Sequence, residues 1–177
     1  MTKLDDLDKS ILQLLLEEPR AGMREYARIL GVARGTVQSR LARLEREGVI
    51  ASFAPAIDPA ALGYTMLAFV HVQLTQGVVD AITRALWSIP EVIEAHSMAG
   101  DGDLLCRIVG RDSAHLESVI QMILNLKGVA RTRSEIALRE RVGFRTLPLV
   151  TGRGTAPVSP WTAQQPRIGL ASSLGQD

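Results

Sequence analysis

Cysteine and long apolar runs are scarce in this chain, and each scarcity excludes a class of protein. A single cysteine among 177 residues, Cys106, cannot close an internal disulfide, and its apolar neighbours favour a buried structural thiol. No apolar run approaches the roughly 18 residues that cross a bilayer, and residues 1–9 are acidic and polar, unlike a signal peptide. The sequence therefore predicts a cytoplasmic globular protein that does not enter a membrane.

The residue groupings that enzymes and metal sites use are also missing. His71, His96 and His115 fall on different predicted elements, with no second nitrogen or thiolate at metal-ligand spacing. The sequence shows no paired nucleophile and base and no phosphate-binding glycine loop. We therefore expect neither an enzyme nor a metal or cofactor site, and an enzyme built on a versatile fold is the disfavoured alternative.

Charge is distributed unevenly along the chain, although the net charge is only +1. Residues 20–46 contain seven arginines and two glutamates, which gives this short segment a net charge of +5. Binding to the DNA phosphate backbone requires such a basic surface. A basic run can also be an ordinary solvated face, so composition leaves both interpretations open.

The N-terminal third predicts three helices in a DNA-binding arrangement. Apolar residues recur at helical spacing in three stretches, which end at Pro19, Gly31 and Gly48. Two helices joined by a short glycine-containing turn are typical of a helix-turn-helix. Residues 49–54 then read as a short strand, which indicates a winged variant over residues 1–54, followed by a linker over 55–65.

Residues 66–149 predict a ferredoxin-like domain of the α+β class. The pattern is strand 66–74, helix 78–89, strand 92–98, strand 104–109, helix 113–126 and strand 129–138, which is the βαββαβ order. Its helices cover one face of the sheet, so the other face needs a cover, and a second copy of the chain would supply one. We therefore expect a homodimer through this domain.

Residues 150–177 are rich in glycine, proline and serine and predict a flexible tail.

Short motifs in the chain resemble those of one regulator family. The N-terminal motif Leu4-Asp5-Asp6-Leu7-Asp8-x-x-Ile11-Leu12, together with residues 34–50, closely resembles the DNA-binding half of the Lrp/AsnC, or feast/famine, regulators. The resemblance continues in family order through residues 58–64, 100–103, 128–134 and 147–149. It implies dimers that assemble into tetramers, octamers or larger rings, and amino-acid effectors bound by the C-terminal domain near interfaces between dimers.

The third helix carries the predicted DNA contacts. In the major groove, Arg can pair with guanine and Gln with adenine, while Arg and Thr also hold phosphates. The candidate residues on this helix are Arg34, Thr36, Gln38, Ser39, Arg40 and Arg43. The alternative for Arg43 and Arg46 is a structural salt bridge to Glu45, to Glu47 or to a neighbouring helix.

The turn between the two middle strands carries the predicted effector site. Its carboxylates could bind an α-amino group, and hydroxyls two residues apart on one strand could bind an α-carboxylate. The candidate residues are His96, Met98, Gly100, Asp101, Gly102, Asp103, Thr132 and Ser134. The Gly-Asp-Gly-Asp sequence is equally a good hairpin turn, and the amino-acid class of the effector comes from the resemblance alone.

Two functions fit these features. The favoured one is a sequence-specific transcriptional regulator that binds double-stranded DNA and whose assembly or DNA binding responds to a small effector. The alternative is an architectural DNA-binding protein that bends or wraps DNA without any ligand. A thermodynamic response to amino acids would separate the two.

Overall fold

The computed structural model describes residues 3–100 and 102–153, and these form two compact units. Of the described residues, the first unit contains 3–53 and 141–153, and the second contains 54–100 and 102–140. Among the described residues, no helix is long and apolar enough to cross a membrane.

Three helices form the first unit, as the sequence predicts. They are α1 (Asp6–Glu17), α2 (Met23–Leu30) and α3 (Arg34–Arg46). The turn from α2 to α3 begins at Gly31, whose φ of 64° lies in the left-handed region that a residue without a β-carbon adopts at little cost. The helices bury an apolar cluster of Ile11, Tyr26, Ala27, Val37 and Leu41.

The strand predicted over residues 49–54 is not observed. Residues 51–58 have no regular secondary structure, and Phe53 is 54% exposed. A β-strand forms by hydrogen bonding to a neighbouring strand, and the sheet among the described residues consists of four strands that do not include this segment. The predicted strand of the wing is therefore wrong, although the three helices are correct.

The second unit is a four-stranded antiparallel sheet with two helices. Its elements are β1 (Met66–Leu74), α4 (Val79–Trp87), β2 (Val92–Ser97), β3 (Leu104–Gly110), α5 (Ser113–Leu124) and β4 (Val129–Ala137). The strand order is β2-β3-β1-β4, which is the predicted ferredoxin-like arrangement. A short 3-10 turn, Pro59–Leu62, precedes β1.

The two faces of this sheet differ. Ala68, Val70 and Val72 on β1 are buried beneath α4 and α5. The residues between them point the other way and are only half-buried, as are Leu105 and Arg107 on β3. We call the face that carries Leu67, Phe69, His71, Leu105 and Arg107 the free face.

The chain after β4 departs from the predicted domain boundaries. Residues from Arg141 onward group with the first unit, where α6 (Leu147–Thr151) packs against α1. The predicted boundary between the second domain and the tail, at residue 149, falls within this helix, and the contact-based grouping assigns residues 141–153 to the first unit. Residues 154–177, most of the predicted tail, lie outside the described residues.

Candidate functional site

The first two turns of α3 present a polar, solvent-facing surface. Arg34, Gln38 and Ser39 are exposed and Thr36 is half-buried. The opposite side of the helix carries the buried residues Val37, Leu41 and Leu44, which hold α3 in the core. Four of the six predicted DNA-contacting residues therefore lie where a groove could reach them.

Arg40 and Arg43 instead point towards α1. Arg40 Nη1 donates to Asp8 Oδ1 at 2.9 Å and also pairs with Asp5, while Arg43 Nη2 donates to Asp8 Oδ2 at 2.5 Å. The Asp8 side chain is fully buried. The salt bridge to a neighbouring helix that the sequence left open for Arg43 is therefore observed, and Arg40 makes one too.

Asp5 and Asp8 also cap α1, which fixes both carboxylates. The Asp8 backbone N–H donates to Asp5 Oδ1 at 2.8 Å, and the Asp5 N–H donates to Asp8 Oδ2 at 3.1 Å. Such a reciprocal capping box satisfies two amides at the start of the helix. We refer to Asp5, Asp8, Arg40 and Arg43 as the α1–α3 clamp, since the cap of one helix binds the arginines of the other.

The clamp lowers the pKa of both carboxyl groups. Hydrogen bonds from Arg40 and from the Asp8 amide lower the pKa of Asp5 from 3.8 to about 2. Burial raises the pKa of Asp8, but hydrogen bonds from Arg40, Arg43 and the Asp5 amide outweigh burial and leave it below its usual value. Both groups are therefore ionised at neutral pH.

Arg46 is a candidate that the sequence reasoning set aside. It is exposed in the last turn of α3, seven residues after Ser39 and therefore on the same side of the helix. A prediction from helical spacing alone could have included it, because Ser39 was already a candidate. Arg34 and Arg46 thus place exposed positive charge in the first and last turns of α3.

A cleft in the second unit lies beside the turn between β2 and β3. It has a volume of about 480 Å³, and its lining comprises His71, Gln73, Met98, Ala99, Gly102, Arg131, Thr132 and Arg133. The cleft therefore brings together three of the eight predicted effector residues, Met98, Gly102 and Thr132. His71, Gln73, Arg131 and Arg133 are lining residues that the sequence reasoning missed.

The remaining predicted effector residues do not line this cleft. His96 is exposed on β2, where its Nε2 lies 2.9 Å from Glu94 Oε1. The Asp103 carboxylate accepts the Leu74 backbone N–H at 2.6 Å, so it fastens the turn to β1. Gly100 is exposed with a φ of 130°, and Asp101 lies outside the described residues.

Thr132 and Ser134 share one face of β4, as predicted, and it is the face on which the helices lie, although Ser134 is exposed on this edge strand and Thr132 also lines the cleft. Their partners across β1 are Val72 and Val70, which belong to the buried core, and directly opposed residues in an antiparallel pair point to the same side. Arg131 and Arg133 pair with Gln73 and His71 and therefore lie on the free face. The register of β1 and β4, which a single sequence does not reveal, places Arg131 and Arg133 rather than Thr132 and Ser134 on the free face.

The chain matches two protein-domain families, and the two matches together span most of the described residues. Residues 4–51 match a winged helix-turn-helix DNA-binding family, and residues 67–147 match the Lrp/AsnC ligand-binding domain. Among curated relatives, the transcriptional regulator FL11 of Pyrococcus horikoshii is 34% identical over 146 residues, which cover 82% of this chain and 97% of FL11. The regulator Rv2324 of Mycobacterium tuberculosis is 32% identical and covers 78% of this chain and 94% of its own.

Solved structures show the same fold. AsnC of Escherichia coli superposes with a TM-score of 0.77 at 25% identity and covers 83% of this chain and 100% of its own. The feast or famine regulatory protein Rv3291c of M. tuberculosis, solved with L-methionine, superposes with a TM-score of 0.74 at 32% identity. It covers 81% of this chain and 97% of its own.

Proposed function

The chain belongs to the Lrp/AsnC family of transcriptional regulators, and from this premise we propose that it binds specific duplex DNA through α3 and adjusts that binding to an amino-acid effector. Members of this family are regulators and not enzymes. The observation that carries the DNA-binding part is the exposed polar side of α3, held in place by the α1–α3 clamp.

The proposal divides the residues of α3 by role. Gln38 and Arg34 contact base edges, and Thr36, Ser39 and Arg46 contact phosphates, since these side chains are solvent-accessible on the helix. Arg40 and Arg43 fix the angle between α1 and α3, because their guanidinium groups are bound to the Asp8 carboxylate. They act as positioning residues and not as DNA contacts.

Salt-dependent binding to a duplex selected from a random pool tests this division. Each phosphate contact contributes about 0.9 to the slope of log affinity against log salt concentration. Arg46→Ala should lower that slope by about one, and Gln38→Ala should change the base preference at an unchanged slope. Arg40→Ala should lower the affinity at an unchanged slope. If Arg40→Ala also lowered the slope, Arg40 would be a phosphate contact and not a positioning residue.

The free face supports assembly into a homodimer, from which tetramers or octamers can be built. Leu67, Phe69 and Leu105 are apolar or aromatic and only half-buried in a single chain. Covering them with the same face of a second copy would remove this surface from water and satisfy two-fold symmetry. The dimer therefore belongs to the second unit in this proposal.

The cleft beside the β2–β3 turn supports effector binding. The M. tuberculosis and Neisseria meningitidis relatives solved with L-methionine are of this fold, which favours an amino-acid ligand here. An effector can shift DNA binding only through different affinities for two states of the protein.

Size-exclusion chromatography with light scattering, with and without the twenty amino acids, tests this proposal. A ligand-dependent mass supports it, whereas a single mass and an unchanged DNA affinity favour the architectural alternative.

A further inference from the structure

We propose that the cleft beside the β2–β3 turn takes a ligand with two carboxylates, so that the effector is an acidic amino acid. This inference rests on the proposed function, because it names the ligand class of that same cleft. It depends on the charge of the lining, on the partners of the nearby carboxylates and on the spacing of two arginines.

The described lining of the cleft is cationic. Arg131 and Arg133 supply two guanidinium groups, and His71 and Gln73 add polar side chains on the same face of the sheet. No carboxylate is present among the described lining residues. The α-ammonium and α-carboxylate are common to all amino acids, so the lining discriminates between them at the side chain, where an ammonium or guanidinium would meet like charge and a carboxylate would meet a complementary donor.

The neighbouring described carboxylates are bound elsewhere. Asp103 is held by the Leu74 amide, and Glu94 lies 2.9 Å from His96 Nε2 and 3.7 Å from Arg107 Nη1. Glu135 pairs with Arg133 at 3.0 Å, but both side chains are about 60% exposed, with values of 59% and 63%. An exposed pair of this kind contributes little and can be exchanged for a ligand carboxylate.

Arg131 is the stronger of the two anchors. Within the described part of the chain it has no ion pair, so a ligand would not have to displace an internal acid from it. A guanidinium can bind a carboxylate through two parallel hydrogen bonds, which gives direction as well as charge.

The spacing of the two arginines fits a dicarboxylate. They are two residues apart on β4 and on one face, so their α-carbons are separated by about 7 Å. Flexible arginine side chains that converge from this separation can each bind one end of a four- or five-carbon diacid. The volume of about 480 Å³ accommodates such a molecule with its hydration.

Isothermal titration calorimetry of the full chain tests the proposal with a matched pair of ligands. Glutamate and glutamine have nearly the same shape and differ in one charge, so their ratio of affinities isolates the second carboxylate. We expect glutamate or aspartate to bind at least tenfold more tightly than the corresponding amide, and lysine to bind more weakly still. Glutarate, which lacks the amino group, distinguishes an acidic amino acid from a plain diacid: equal binding of glutarate would overturn the assignment to an amino acid.

Variants locate the effect in the cleft. Arg131→Gln should bring the glutamate-to-glutamine ratio near one, and Arg133→Gln should lower it, while Arg84→Gln on the exposed surface of α4 removes the same charge and should leave it unchanged. A neutral or basic amino acid that binds more tightly than glutamate would overturn this inference and leave the proposed function standing. Absence of heat with every amino acid, together with a DNA affinity that no amino acid changes, would overturn both the inference and the effector part of the proposed function.

Discussion

Asp8 is the residue on which the packing of α1 against α3 most depends. Its carboxylate is fully buried and accepts hydrogen bonds from Arg40, Arg43 and the Asp5 amide. Removal of one partner from a buried ionic group leaves the remaining charges unpaired, which costs far more than the loss of an exposed pair.

The variant Asp8→Asn keeps the shape of the side chain and removes its charge. We expect the free energy of unfolding to fall by about 3 kcal/mol, because two guanidinium groups lose their acceptor. Urea denaturation followed by circular dichroism measures this change. Asp6→Asn, in the same helical turn but with a fully exposed side chain, is the matched control, and equal stabilities of the two variants would contradict the role of the clamp.

Because of Asp5, the stability of the first unit should change with pH in the acid range. A carboxyl group whose pKa is lower in the folded state stabilises that state above its unfolded pKa, and the stabilisation is lost as pH falls towards the folded pKa. For Asp5 this window runs from 3.8 down to about 2. We expect Asp5→Asn, which retains a good helix cap, to make thermal stability less dependent on pH across this window. An unchanged profile would show that the pairing with Arg40 does not stabilise the folded state.

Residue types in a sequence indicate which chemistry is present but not where a side chain points. The sequence correctly identified α3 and its arginines, yet Arg40 and Arg43 are turned towards α1 because a buried carboxylate, 32 and 35 residues earlier respectively, attracts them. A contact over that separation depends on how the helices pack. Helical spacing places Arg46 on the side of Ser39 and Arg40 nearer the buried residues, but it does not reveal the acceptor on α1.

At the scale of elements, β3 and α5 approach each other closely at Gly110. A β-carbon added at Gly110 would lie 2.8 Å from the Leu116 β-carbon, so only glycine fits there without a shift of the backbone. We expect Gly110→Ala to lower the free energy of unfolding by about 1 to 3 kcal/mol through overpacking. Gly102→Ala, whose added β-carbon would make only ordinary contacts of 3.7 Å, should be nearly neutral in the same denaturation assay.

The elements of the second unit were predictable because each has a strong local pattern. β1, β2, β3, β4, α4 and α5 all lie within a few residues of their predicted bounds. The predicted strand at 49–54 is not observed, because a strand forms by pairing with a neighbouring strand and local propensity does not reveal such pairing. The effector residues were only partly predictable for a related reason: alternation places Thr132 and Ser134 on a common face, but only the register with β1 shows that Arg131 and Arg133 are the residues on the free face.

At the scale of the whole molecule, the free face should decide the number of subunits. We expect Leu105→Asp to prevent dimer formation, because a charge would be buried without a partner between two sheets. Light scattering after size exclusion should show the mass of a single chain. Ile136→Asp places the same charge on an exposed residue of the opposite face of β4 and should leave the mass unchanged. A Leu105→Asp protein of parental mass would place the subunit interface elsewhere.

The chain returns to pack against α1 at α6. This packing determines which residues must be included when the DNA-binding unit is fused to another protein. The unit that contains α3 is discontinuous: the chain leaves it after Phe53 and rejoins it from Arg141. A chimaera that grafts only residues 1–53 onto another protein would strip α1 of the helix that covers it and expose that surface to water. A graft that joins residues 3–53 to 141–153 through a short linker preserves this packing, and it is the portable form of the DNA-reading module.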